Sequence, residues 1–323
     1  MNHIGNIIQE YRCRMGLTQK QLAECICSPK YVYLVEKGER TPSTGLLRLL
    51  SDKLNVDLCA LYRYLDCTNP IEVHDAIVLF EKYKRNSDFK NLKELTDEQK
   101  AKPDFIRSPW NYEIEINEYC YAVLVEGKAA ESIAGLKKVI QKLTASSYLD
   151  YHLAQLYTLL SICYHRLNDT ENSYHAAVCA KKLLKNKQRL AHYKQVTVTT
   201  EIGFLFTCLQ MHRYQSILLE GNKLLEYQLE NNLFERIHYT FFLLALANDK
   251  LGDKNAAIGF CKKAIYYTLI YQKEHDIKFF IEYEPFWELM NDDQINSDAI
   301  AEFRDKYHID AGNRCFKTRA LDV

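Results

Sequence analysis

Apolar residues recur at intervals of three and four along most of this chain, and the period-two alternation of strands is almost absent. Gly and Pro are sparse, 11 and 6 among 323 residues, so few positions interrupt a helix. The pattern predicts an all-α protein. Residues 1–16 read as an amphipathic helix. A second helix follows Thr18, which with Gln21 three residues on forms a capping box, and it turns Leu22, Ala23 and Ile26 inward. Ser28 caps a third helix whose first position is Pro29, where the missing N–H costs nothing. Tyr31, Leu34 and Val35 form its predicted apolar face, Ser28, Lys30, Tyr33 and Lys37 face outward, and Gly38 closes it. A short helix, braced from behind and carrying small polar and basic groups at its exposed N-terminal end, suits a DNA major groove.

The residues of this segment carry a resemblance. LTQxxLA, then S-x-x-Y-V-x-x-V-E-K-G, then P-S-x-x-x-L-x-x-L resembles the helix-turn-helix of Xre/Cro-type regulators. The compact corner Glu24-Cys25-Ile26-Cys27-Ser28 is one residue shorter than the usual family turn, and its Ile-Cys-Ser ending resembles the peptide-sensing Rgg, PlcR, NprR and PrgX group of Gram-positive bacteria. Two departures stand out: Tyr33-Leu34 replaces a common Ser-Arg or Ser-Lys pair, and Pro29-Lys30 opens the helix where two polar residues are usual. The resemblance implies DNA binding through Thr18, Gln19, Ser28, Lys30, Tyr33 and Lys37.

A turn at 66–72, DCTNPIE, with Pro70, marks a boundary. Helices are predicted over 72–85 and 88–101, then an irregular KPDFIRSPW. From residue 112 a longer pattern repeats. Residues 239–265 resemble a tetratricopeptide repeat, with Leu251-Gly252-Asp253 as the turn and Ala257 and Ala264 as small packing residues. Residues 155–183 form a second unit, with Tyr164 at the large aromatic position, a turn at Leu167-Asn168-Asp169, and Ala177 and Ala180 as its small residues. Residues 198–225 form a third, more degenerate unit, and residues 116–140 a fourth that turns at Gly127. The expected organisation is a DNA-binding head at 1–66, a linker and first helical pair at 67–111, repeats at 112–290 and a capping helix and tail at 291–323.

Such repeats stack into a right-handed α-solenoid whose concave face is built from first helices and suits an extended peptide. Repeat register places Asn117, Tyr121, Gln155, Thr158, His165, Arg166, Thr199, Gln210, Tyr239, Phe242, Asp249 and Lys250 outward on those helices. Asn and Gln could hold a peptide backbone, Arg166 and Lys250 a carboxylate, and Tyr121, Ile202, Phe206 and Phe242 could form pockets. Asn117, Tyr121, His165, Arg166, Gln210, Tyr239, Phe242 and Lys250 are the candidate peptide contacts. For any single position, a solvated helix face or a contact with the next helix is the commoner role.

Charge adds one constraint. The chain carries 42 basic and 42 acidic residues, and residues 1–66 hold nine Lys or Arg against seven Asp or Glu, a net of +2. One head is a weak electrostatic footprint for DNA, so binding is expected to require a homodimer. The 11 cysteines show no C-x-x-C pair or ligand-spaced histidine, which favours buried, reduced thiols over zinc or disulfides. His152, His165, His175 and His192 lack metalloprotease spacing, Asn291-Asp292-Asp293 lacks the Gly and Glu of a calcium loop, and no phosphate-binding glycine motif occurs. No metal, cofactor or catalytic constellation is expected. The basic run at 181–189 reads as a solvated helix end. Residues 1–16 lack a signal peptide's apolar core and no apolar run is long enough to span a bilayer, so a cytoplasmic protein without membrane contact is expected.

Together these features predict a peptide-responsive transcription regulator of the quorum-sensing kind, with double-stranded operator DNA and a short signalling peptide as partners. The alternative is an interaction scaffold whose repeats bind and inhibit a partner protein.

Overall fold

The computed structural model describes residues 2–144, 149–187, 190–271 and six positions between 279 and 289. Helices are the only regular elements among them. Packing divides the chain into two compact units, Met1–Tyr121 and Ala122–Val323. The predicted capping helix and tail at 291–323 lie outside the described residues.

The first unit opens with α1 (Ile4–Arg14), α2 (Gln19–Ala23), α3 (Pro29–Glu36), α4 (Thr44–Leu54) and the single turn α5 (Leu58–Leu61). Ile7, Ile8, Leu22, Val35, Leu50 and Leu58 are buried in its core. Gly5 allows α1 to cross α3 backbone to backbone, since a Cβ there would lie 1.8 Å from the Val35 carbonyl oxygen. A 3-10 turn, Tyr62–Tyr64, leads to α6 (Pro70–Arg85) and α7 (Phe89–Gln99). A second 3-10 turn, Pro103–Ile106, precedes α8 (Asn111–Leu124). Inside this unit Lys84 forms ion pairs with Glu81 at 2.7 Å and Glu113 at 3.4 Å.

The junction at residues 64–70 is braced by residues far along the chain. The Asp104 carboxylate, 8 % exposed, accepts the backbone N–H groups of Thr68 at 2.7 Å and Asn69 at 3.0 Å. Asn69 is the N-cap of α6 and its side chain makes no capping bond, while Asp104 satisfies the backbone N–H of this N-cap residue and of the residue before it. The Tyr64 ring stacks on Trp110 with centroids 4.8 Å apart, and the Arg63 guanidinium lies over both rings. Asn2 Nδ2 donates to the carbonyls of Cys67 and Thr68.

The second unit is a series of helical hairpins: α9 (Ala129–Leu143), α10 (Asp150–Arg166), α11 (Thr170–Leu184), α12 (Lys194–Gln210), α13 (Tyr214–Glu230), α14 (Ile237–Lys250) and α15 (Lys254–Tyr271). Gly127, Asn168, His212 and Gly252 take positive φ values at the successive turns. The third of these turns uses His212 at φ 56°, a residue with no glycine-like signal in the sequence. Ala177, Ala180, Ala257 and Ala264 are buried and let paired helices approach. Buried hydroxyls link neighbouring helices: Thr158 to Thr200 at 2.9 Å, and Ser173 to Thr207 at 3.1 Å.

Three sequence expectations are corrected here. Val32, not Tyr31, joins Val35 in the core of α3, and Tyr31 is half-buried with its hydroxyl 3.4 Å from the Thr41 carbonyl oxygen. Asn117 is 1 % exposed, so it does not face outward. The described cysteines are all free, but those of the head are not all buried: Cys13, Cys25 and Cys59 are exposed.

Candidate functional site

The tight corner between α2 and α3 follows from local chemistry. Thr18 Oγ1 accepts the Gln21 N–H at 3.2 Å, and Gln21 Oε1 accepts the Thr18 N–H at 2.8 Å, closing the capping box. Ser28 Oγ accepts the Tyr31 N–H at 3.2 Å, and Pro29 occupies the first helical position. Both caps define where the helices start and therefore which way α3 points.

The back of α3 is fixed by a buried carboxylate. Glu36, 5 % exposed, accepts Arg12 Nε at 2.6 Å and Arg12 Nη2 at 3.0 Å in a bidentate pair. Gln19 Nε2 donates to the same carboxylate at 2.7 Å, and Arg12 Nη1 reaches the Leu17 carbonyl at 2.7 Å. Hydrogen bonding to Glu36 pushes the Arg12 pKa further up. One carboxylate thus ties α1, the entry to α2, and α3 into a single bracket.

The front of α3 is open. Ser28, Lys30 and Lys37 are exposed, and Tyr33 is 45 % exposed. Lys37 Nζ lies 6.0 Å from the Tyr33 ring centroid, which holds charge beside an aromatic face. Thr18 is exposed, with its hydroxyl committed to the cap, and Gln19 is half-buried with its amide committed to Glu36.

In the second unit, the first helices α10, α12 and α14 lie side by side. The sequence-derived positions there divide into three groups. Tyr239 is half-buried and Lys250 exposed, as an open face requires. Phe242 and Thr158 are buried, which corrects their outward assignment: Phe242 stacks on Phe280 at 4.9 Å and meets Phe286 at 4.7 Å, and Thr158 bonds Thr200. Arg166 and Gln210 reach back to the preceding repeat, Arg166 from an exposed position and Gln210 from a half-buried one. Arg166 donates to the Val123 carbonyl, and Gln210 Nε2 donates to the His165 carbonyl at 3.3 Å and to Asn168 Oδ1 at 3.1 Å. His165 Nδ1 and Gln210 Oε1 are buried, and neither makes a hydrogen bond of acceptable geometry. Tyr121 belongs to the first unit, where Lys93 Nζ lies 6.0 Å from its ring centroid.

The helix-turn-helix family matches residues 8–61, a span that includes both caps, the bracket and the open face. This head is a helix-turn-helix domain. PlcR of Bacillus thuringiensis, solved with the peptide PapR7 and DNA, is similar over 85 % of this chain and 97 % of its own, at 19 % identity and a TM-score of 0.66. That similarity shows a common fold. ComR from S. thermophilus, solved with DNA and its signalling peptide ComS, matches over 85 % of this chain and 96 % of its own, at 16 % identity and a TM-score of 0.49. Rgg2 of Streptococcus dysgalactiae, an SHP pheromone receptor, matches over 84 % and 100 %, at 15 % identity and a TM-score of 0.43. A search of the curated proteins finds no match.

The helix-turn-helix also holds residues that sequence reasoning did not single out. A cleft of about 470 Å³ runs between α1 and α3, lined by His3, Asn6, Gln9, Gln19, Tyr33, Glu36 and Lys37. Asn6 and Gln9 are exposed on α1 and add polar groups beside Tyr33 and Lys37. Their only sequence signal is a polar pair three residues apart on the solvent face of an amphipathic helix. No helix among the described residues is long and apolar enough to cross a membrane.

Proposed function

We propose that this chain is a cytoplasmic, homodimeric transcription regulator that binds operator DNA through its helix-turn-helix and a short signalling peptide through its repeats. The observation that carries this reading is the arrangement of α3: an open face of Ser28, Lys30, Tyr33 and Lys37 on a helix bracketed from behind by Arg12, Glu36 and Gln19. A helix held this way can enter a major groove without rearrangement. The fold shared with PlcR, which was solved with both a peptide and DNA, supports assigning a peptide to the repeats.

In this reading Lys30 and Tyr33 approach base edges and Lys37 a phosphate. Thr18 and Gln19 stand at the N-terminus of α2, where backbone N–H groups favour a phosphate. On the repeats, His165, Arg166, Gln210, Tyr239 and Lys250 form the proposed peptide face. His165 Nδ1 and Gln210 Oε1 are the polar atoms there best suited to a peptide amide. Two heads joined in a dimer meet successive major grooves of a symmetric site, and the peptide acts by binding one spacing of the heads more tightly than the other. No catalytic step is assigned.

The test is operator binding by the full-length protein across a library of short synthetic peptides. The reading expects at least one peptide to change operator affinity, and Tyr239→Ala to weaken that peptide without changing the dimer's mass. Operator affinity indifferent to every peptide would contradict the peptide assignment.

A further inference from the structure

Residues 64–70 join the helix-turn-helix to α6, and a Cys-Thr-Asn-Pro sequence would ordinarily make such a joint a loose linker. Four residues brace it in the structure. Asp104 accepts two consecutive N–H groups at Thr68 and Asn69, and Asn2 donates to the carbonyls at Cys67 and Thr68. Trp110 stacks on Tyr64, and Arg63 lies over that pair. Tyr64 and Cys67 are 3 % and 4 % exposed, so the joint is part of the interior of its unit. Pro70 then starts α6 with φ already set.

We propose that Asp104 is a positioning residue for operator recognition: by clamping the joint at Thr68 and Asn69 it fixes the direction in which the recognition helix leaves α6, and so fixes the half-site spacing the dimer accepts. This rests on the reading of the chain as a dimeric DNA-binding regulator. A two-headed protein recognises spacing only as sharply as each head is held on its support. A loose joint lets each head bind its half-site independently and tolerate several spacings, as a flexible tether does. The clamp at residues 64–70 removes that freedom, and Asp104 is the group in it that accepts the backbone N–H groups of the two residues leading into α6.

The experiment selects an operator with the full-length wild-type protein, then measures binding to a series in which the half-site separation is changed one base pair at a time. Wild type is expected to show a sharp optimum. Asp104→Ala is expected to flatten the profile, losing preference between the optimum and its neighbours, and Asp104→Asn, which keeps one acceptor oxygen, to restore part of it. Residue 104 touches neither DNA nor the recognition helix, so a merely structural defect would lower affinity at every spacing and leave the optimum in place. Asn2→Ala, which removes the two bonds to the joint's carbonyls together with one exposed bond from Asn6, gives the same readout if Asp104→Ala does not fold. An unchanged spacing profile in the folded variants overturns the proposal. Failure of the wild-type protein to select any DNA would instead overturn the underlying reading.

Discussion

Gln210 donates its side-chain N–H to the carbonyl of His165, 45 residues earlier and one repeat back. Arg166 does the same to Val123, 43 residues earlier. Each acceptor lies in the last turn of a first helix, where carbonyls have no partner within the helix. The two side chains therefore strap consecutive repeats together at corresponding places.

These straps lead to a stability prediction. Gln210→Ala removes the bonds to His165 and Asn168 and should destabilise the full-length protein by about 0.5–1.5 kcal/mol for each bond lost. Urea unfolding followed by circular dichroism measures this. An unchanged midpoint would mean the strap contributes nothing in solution.

His165 gives the strap region a pH dependence. Burial lowers its pKa below the ordinary 6.5, the nearby Arg166 charge acts in the same direction, and Gln210 opposes both. As pH falls through 6.5 the unfolded chain takes up the proton before the folded one. The stability from a neutral, buried ring is thus complete above 6.5 and is lost at lower pH. The urea midpoint of wild type should fall on acidification, and His165→Gln should reduce that slope. Identical slopes would remove His165 from the account.

Glu36 is the centre of the bracket behind the recognition helix. Glu36→Ala leaves Arg12 beside an apolar core without its partner and should cost about 3 kcal/mol or more. Replacing both partners, as Arg12→Met with Glu36→Leu, should recover much of that loss, because a desolvated ion pair is expensive to form. Thermal unfolding of the three variants against wild type decides it.

The register of α3 separates two neighbouring substitutions. Val35→Asp places an unpaired charge at a site 1 % exposed and should unfold the head or lower its stability by several kcal/mol, on the order of an unpaired buried charge. Tyr31→Phe removes only a hydroxyl 3.4 Å from Thr41 and should change the unfolding midpoint little. Equal effects from the two would contradict the register.

What could be seen in the sequence was local. Thr18 with Gln21, and Ser28 with Pro29, announce their helix starts within a few residues, and both caps form. The turns at Gly127, Asn168 and Gly252 were legible because Gly and Asn tolerate positive φ. On an eight-residue helix, a period of 3.6 does not by itself choose between Tyr31 and Val32, and the backbone contact at Gly5 decides for Val32 and Val35. Phe242 was misread for a different reason. A helix register shows which side leaves its own hairpin, but stacking then covers part of that side, here with Phe280 and Phe286. Asp104 could not be found at all, because its partners lie 35 and 36 residues away and nothing in PDFI signals an acceptor for a distant backbone.

The most direct test of the central claim is selection of operator DNA by the full-length protein, followed by binding isotherms for wild type, Lys30→Ala and Tyr33→Ala at two salt concentrations. The account predicts a two-fold symmetric site, affinity that falls with salt, and a loss of about 1–3 kcal/mol for each variant that removes a base contact, with thermal stability unchanged. No enriched sequence, or an enriched operator that both variants bind as wild type does, would contradict the assignment of α3 as the DNA-reading helix.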